Sequence, residues 1–86
     1  SNKHEKLVQA VETLKAIGTE IEGTDGEPAA GVASLGEYSY KVTFVFYVKK
    51  GANYLGTINA VNLEVLKRFE QAGIALALPT RTIVNS

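Results

Sequence analysis

The sequence predicts an α+β fold in which helices cover one face of a mixed sheet, in the order α-β-β-α-β with a short further strand at the end. Three observations predict it. Apolar residues recur at spacings of three and four in two stretches, Leu7 to Ile17 and Leu55 to Ala72, as helices with one buried face require. Between them, from Tyr38 to Lys49, two sets of residues alternate, the period of a strand. After the second helical stretch, Gly73 leads directly into alternating Ile74, Leu76 and Leu78, and Pro79 follows. Helices segregated to one face of such a sheet form a layered α+β domain.

The first helix is expected from Lys3 to Ile17, with Leu7, Ala10, Val11, Leu14 and Ile17 as its stripe. Asn2 suits the N-cap, Glu5 favours the positive end of the helix, and Gly18 supplies a stop. Val8 lies off the stripe. Thr19 to Gly31 reads as a linker, because Gly23, Gly26, Pro28 and Gly31 are turn and breaker residues. A short strand is expected from Gly31 to Leu35, then a turn at Gly36 and Glu37.

Tyr38 to Lys49 is expected to be the longest strand. Tyr40, Val42, Phe44, Phe46 and Val48 point to the core, while Ser39, Lys41, Thr43, Val45, Tyr47 and Lys49 point away. The second helix is expected from Tyr54 to Ala72, with Leu55, Ile58, Val61, Val65, Leu66, Phe69 and Ala72 as its stripe. Asn62 interrupts that stripe and Leu63 lies outside it. Glu64 and Arg68 form an i,i+4 pair in the favourable orientation. Gly73 can take the left-handed conformation that ends a helix. A strand over Ile74 to Leu78 closes at Pro79, which cannot donate to a ladder, and a last short strand covers Arg81 to Val84.

The expected core is therefore Leu7, Val11, Leu14, Tyr40, Val42, Phe44, Phe46, Ile58, Val65, Phe69, Ile74 and Leu76. The strand-helix-strand unit from Tyr38 to Leu78 would be a right-handed crossover, and the whole is ferredoxin-like.

Eighty-six residues make one small domain, which buries about 60–65% of the surface its unfolded chain exposes. No apolar run approaches the ~20 residues of a membrane helix. Without Cys the chain has neither disulfides nor a thiolate nucleophile. It also lacks Met and opens with Ser1-Asn2, a pair that protease cleavage leaves on expressed fragments. Residues 1–2 are thus read as a cloning remnant, and residues 3–86 as one domain cut from a larger protein. Nine basic and nine acidic residues balance, which argues against nucleic acid as a partner, since phosphate neutralisation supplies most of such affinity.

No constellation for covalent chemistry emerges, and the chain is read as a non-enzyme without cofactor or metal. His4, the single histidine, falls in the first helical turn and is read as solvated. Glu20, Glu22, Asp25 and Glu27 cluster, but the Asp-x-Asp-x-Asp-Gly calcium frame is missing. No glycine arrangement matches a phosphate-binding loop. Tyr40, Phe44 and Phe46 beside lysines suggest an RNA-stacking platform, yet they share a face with Val42 and Val48, as core residues do. Val45 and Tyr47 on the outer sheet face, with Leu63 off its helix stripe, are left as candidate contacts between subunits.

The last third of the chain also carries a resemblance. Phe69, Glu70, Gly73, Ile74, Pro79, Thr80, Thr82 and Ile83 fit a helix ending in Phe-Glu-x-x-Gly-Ile, a short apolar strand, Pro-Thr, and a Thr-Ile strand. This resembles the end of the cytoplasmic C-terminal domain of the small-conductance mechanosensitive (MscS-type) ion channel family. Ala77 stands where one subgroup has a second proline and another has alanine. In element order the resemblance spans the whole chain, but its specific residues, Phe69, Gly73, Ile74, Pro79 and Thr80 among them, lie near the end.

The resemblance implies a domain on the cytoplasmic side of the bacterial inner membrane, within a membrane homo-oligomer that is a heptamer in the family. It would help to form the vestibule of a channel that releases ions and small solutes on hypo-osmotic shock. Its partner would be itself, and the fragment alone would be a monomer or weak dimer. Membrane contact would come only through preceding segments. The alternative reading is a ferredoxin-like regulatory domain of the amino-acid-binding type.

Overall fold

The computed structural model describes residues 2–34, 40–75 and 80–84. Two helices, α1 (Asn2–Glu20) and α2 (Tyr54–Ala72), accompany three strands, β1 (Thr24–Ser34), β2 (Tyr40–Val48) and β3 (Thr80–Val84). The strands form one sheet in the order β1-β2-β3. β1 pairs antiparallel with β2, and β3 runs parallel to it. The α+β class and the mixed sheet are as the sequence predicts.

β2 occupies the centre because its alternation supplies one wholly apolar face. Val42, Phe44, Phe46 and Val48 are all buried, and the rings of Phe44 and Phe46 pack tilted with centroids 5.1 Å apart. Against them lie Leu7, Ala10, Leu14 and Ile17 of α1, with Val61, Val65 and Phe69 of α2 and Ile74 beyond it. Val11 and Ile58, expected in the core, are half-buried and pack on its margin. Burying each large apolar side chain is worth roughly 1.5–3 kcal/mol, so this single cluster dominates the stability.

Both ends of α2 are closed by local chemistry. Asn53 has extended backbone angles, and its side chain accepts a hydrogen bond from the Gly56 N–H at 2.9 Å. That satisfies one of the donors that the first turn leaves unpaired. At the other end Gly73 adopts a φ of 71°. The Gly73 N–H then donates to the Glu70 carbonyl at 3.2 Å and the Ile74 N–H to the Phe69 carbonyl at 2.8 Å, the double bond pattern of a Schellman cap. The Lys6 ammonium, reaching over from α1, donates to the Ala72 carbonyl.

The structure corrects the sequence reading at four places. The expected linker is mostly strand: β1 begins at Thr24, and its 11 residues outrun the 9 of β2. Its register shifts between Asp25 and Ala29, where four steps along β1 match two along β2. The irregularity absorbs Gly26, with a φ of 71°, and the buried Pro28. Proline is tolerated there because β1 is an edge strand and the ladder is already broken at that point.

Gly18 does not stop α1, which runs on to Glu20. Its missing side chain instead lets the helix approach β1 closely, because a Cβ there would meet Pro28 at 2.7 Å. Third, Ile74 and Ala75 belong to no strand, whereas the last short strand expected over Arg81 to Val84 is present as β3. Leu76 and Pro79, like the expected turn at 36–37, lie outside the described residues. Fourth, Tyr40, Leu55 and Leu66, assigned to buried faces, are exposed. Tyr40 sits at the first position of β2, where α1 covers it only in part. On α2 the buried face centres on Thr57, Val61, Val65 and Phe69, about 45° around the helix from the centre of the expected stripe, which leaves Leu55 and Leu66 roughly 100–120° from the buried centre.

Candidate interaction surfaces

The titratable groups do not converge. His4 is exposed on the first turn of α1, and among the described residues no group of three His, Asp or Glu side chains could hold a metal. The acidic cluster is dispersed by the fold. Glu20 ends α1 and pairs with Arg68 at 2.7 Å, Asp25 accepts from the Gly26 N–H at 2.9 Å, and Glu22 and Glu27 are exposed.

The best-organised polar feature is Arg68. Its Nε donates to Glu64 and its Nη2 to Glu20, each at 2.7 Å, tying the end of α1 to the outer turns of α2. The hydrogen bond from Arg68 holds the Glu64 carboxyl below the ordinary 4.5, against the opposing effect of desolvation. The bonds to Glu20 and Glu64 in turn push the Arg68 guanidinium above its usual value. This cluster faces the cleft between the helices, with Gln9, Thr13 and Ala16 on the α1 side and Gln71 on the α2 side. Its partners are internal, so it braces the helical layer.

The exposed apolar residues are more distinctive, and they form two patches. On α2, Leu55, Leu66 and Leu63 are 76%, 67% and 56% exposed. At 100° per residue they fall within about 80° of arc, with the exposed Asn59 between them and the exposed Asn62 at the arc's edge. They make a convex ridge. Arg68 and Gln71, which face α1, lie roughly 140–160° around the helix from Leu55, so the ridge is on the flank of α2 turned away from α1.

The second patch is concave. Val8 of α1, Val32 of β1 and Tyr40 of β2 are each 44–45% exposed. With Leu7 and Val11 they line a groove of about 520 Å³ between α1 and the edge of the sheet. Gly31 and Lys15 also line it. This groove lies on the flank of α1 away from α2. The helical layer thus reads, from side to side, groove, α1, α2, ridge.

Val45, Tyr47 and Leu63, singled out from the sequence, are not brought together. Val45 and Tyr47 are half-buried on the sheet face opposite the helices, where Ala29 and Asp25 of β1 stand beside them in register. Leu63 belongs to the ridge. Leu55, Leu66, Val32 and Tyr40 were not singled out as surface residues, although leucines spaced by eight and three on α2 already place a second apolar stripe beside the first.

The fold and these surfaces define a small α+β domain whose conspicuous exposed chemistry is apolar and sits on its two flanks. No helix among the described residues is long and apolar enough to cross a membrane. Residues 1–76 match the family described as mechanosensitive ion channel MscS, C-terminal, and the chain belongs to that family. The family is one of channel domains and not of enzymes. The chain is also similar to the large-conductance mechanosensitive channel MscMJLR of Methanocaldococcus jannaschii, at 33% identity over 85 residues. The match covers 92% of this chain and 24% of that protein, so the chain spans about a quarter of its relative's length.

Proposed function

We propose that this chain is a cytoplasmic vestibule and assembly domain of a mechanosensitive channel, which opens under membrane tension and releases ions and small solutes on hypo-osmotic shock. The observation that carries the reading is family membership over residues 1–76, and a relative named as a mechanosensitive channel supports it. The domain does no covalent chemistry. It packs beside further copies of itself around the pathway to a pore formed elsewhere in the protein. The parent is a membrane homo-oligomer, a heptamer as in the family, with this domain on the cytoplasmic side.

The test is to express the full-length protein in a bacterial host stripped of its own mechanosensitive channels and to transfer the cells abruptly from high to low osmolarity. Survival well above that of the empty-vector control is expected. Lysis equal to the control, with the protein verified in the membrane, would overturn the reading.

A further inference from the structure

We propose that the hollow beside the first turns of α2 binds a small zwitterion of the free α-amino acid class, with its ammonium at Glu22 and its carboxylate at Thr57 and the N-terminal end of α2. The site is separate from the flank surfaces and stands or falls independently of the channel reading.

The hollow holds about 500 Å³ between the α1–β1 turn, which supplies Glu22 and Gly23, and α2 with its cap, which supply Asn53, Gly56 and Thr57. Small-molecule sites are commonly of this size, roughly 300–1,000 Å³.

Thr57 is what marks it as more than a dent at a helix end. It is the one buried polar side chain among the described residues, at 6% exposure. Its hydroxyl makes no hydrogen bond to any of them, yet it is not sealed into the core. The space it opens on is this hollow. Buried hydroxyls are normally paired, so one left open to a cavity is a place for an incoming polar group. Gly23 keeps it open. Its φ is 99°, and a Cβ there would lie 2.4 Å from Thr57 Oγ1, crowding the approach.

The two walls have opposite electrical character. α2 contributes the positive end of its dipole. Asn53 Oδ1 accepts from the Gly56 N–H and the Asn53 carbonyl from the Thr57 N–H, which leaves the Asn53 side-chain NH2 as a further donor. Glu22 is the charged side chain lining the hollow, and it has no ion-pair partner among the described residues. Its turn is tightly held. The Thr24 N–H and hydroxyl both donate to the Ile21 carbonyl, at 3.1 and 2.6 Å, and the Lys49 N–H donates to the Gly23 carbonyl at 2.7 Å.

These charges select the ligand. A simple anion suits the helix end but is repelled by Glu22, and a simple cation suits Glu22 but is repelled by the helix end. A molecule carrying both charges a few bonds apart satisfies both walls, and the small Gly23 and Gly56 leave space for its side chain.

The test follows the amide signals of the isotopically labelled 86-residue chain by NMR as L-alanine is added, with acetate, methylammonium and glycerol as probes that each carry one function. Saturable shifts at Gly23, Gly56 and Thr57 are expected with L-alanine, and binding weaker by about tenfold or more with each of the others. Glu22→Gln and Thr57→Val should each weaken L-alanine by a similar factor. Glu22 is exposed, and valine keeps the shape of a side chain whose hydroxyl bonds nothing, so neither variant should lower Tm. No saturable shift up to the solubility limit of L-alanine would overturn the proposal. Acetate binding as tightly, with Glu22→Gln no weaker, would also overturn it in favour of a plain anion site. Equal binding of methylammonium or glycerol would overturn it in favour of a cation or polyol site.

Discussion

Replacing Gly18 by alanine sets two effects of known size against each other. In the interior of a helix, alanine is favoured over glycine by about 1 kcal/mol, and Gly18 has ordinary helical neighbours on both sides within α1. On propensity alone the substitution would stabilise the domain. The added Cβ, however, would lie 2.7 Å from Pro28 Cβ, 3.0 Å from Pro28 Cγ and 3.2 Å from Phe44 Cζ.

Pro28 is a rigid ring in β1, and Phe44 is fully buried, so neither can swing aside. Inserting a carbon into a packed core costs typically 1–3 kcal/mol, which exceeds the helical gain over most of that range. A 2.7 Å approach to a rigid ring puts the cost in the upper part of that range, and a net loss of up to about 2 kcal/mol is expected. For a domain of this size each kcal/mol moves Tm by roughly 4–8 °C, a shift that thermal unfolding followed by circular dichroism resolves easily. Gly31→Ala is the control. Its Cβ would meet nothing within 4 Å and its φ is not positive, so it should hold Tm or raise it, by up to about 1 kcal/mol. A Gly18→Ala variant as stable as the parent, or more so, would refute the close packing of α1 on β1.

Three further outcomes follow from the same structure. Asn53→Ala removes the side-chain acceptor for the Gly56 N–H and should cost about 1 kcal/mol, read as a lower urea midpoint with an unchanged slope. Because Arg68 holds the Glu64 carboxyl below 4.5, that interaction stabilises the fold above the ordinary glutamate range and fades as pH falls through the lowered value. Arg68→Ala should therefore lose stability at pH 7, and urea titrations at descending pH should show the difference from the parent shrinking below about pH 4.5. Leu66→Gln changes a residue 67% exposed and should leave the stability of the domain within about 0.5 kcal/mol by urea unfolding.

How much of this was legible in the sequence depended on how strongly each pattern repeated. α2 was readable to its ends, because seven apolar positions share one period and Gly73 closes it. β2 was readable because Val42, Phe44, Phe46 and Val48 leave no doubt about which face is buried. β1 was not. Its Gly, Ala and Pro residues have weak strand preferences, and it is a strand because β2 offers it a partner and α1 covers Pro28. The register shift that accommodates Pro28 leaves no periodic trace.

Gly18 shows the same limit from the other side, since glycine signals a helix end locally but a close approach only in three dimensions. The surface was half legible. Leu63 stood out from its stripe, whereas Leu55 and Leu66 hid at its edge, where a shift of the buried face by about 45° is enough to expose them. The groove could not be seen at all, for it needs Val8, Val32 and Tyr40 from three separate elements.

Patch-clamp recording from membranes containing the full-length protein tests the central claim most directly. The account predicts stepwise currents that appear when suction is applied to the patch, grow in number with tension and close on its release, and that are missing from membranes of the same host without the gene. Patches that contain the protein yet stay silent up to the suction that ruptures them would contradict it.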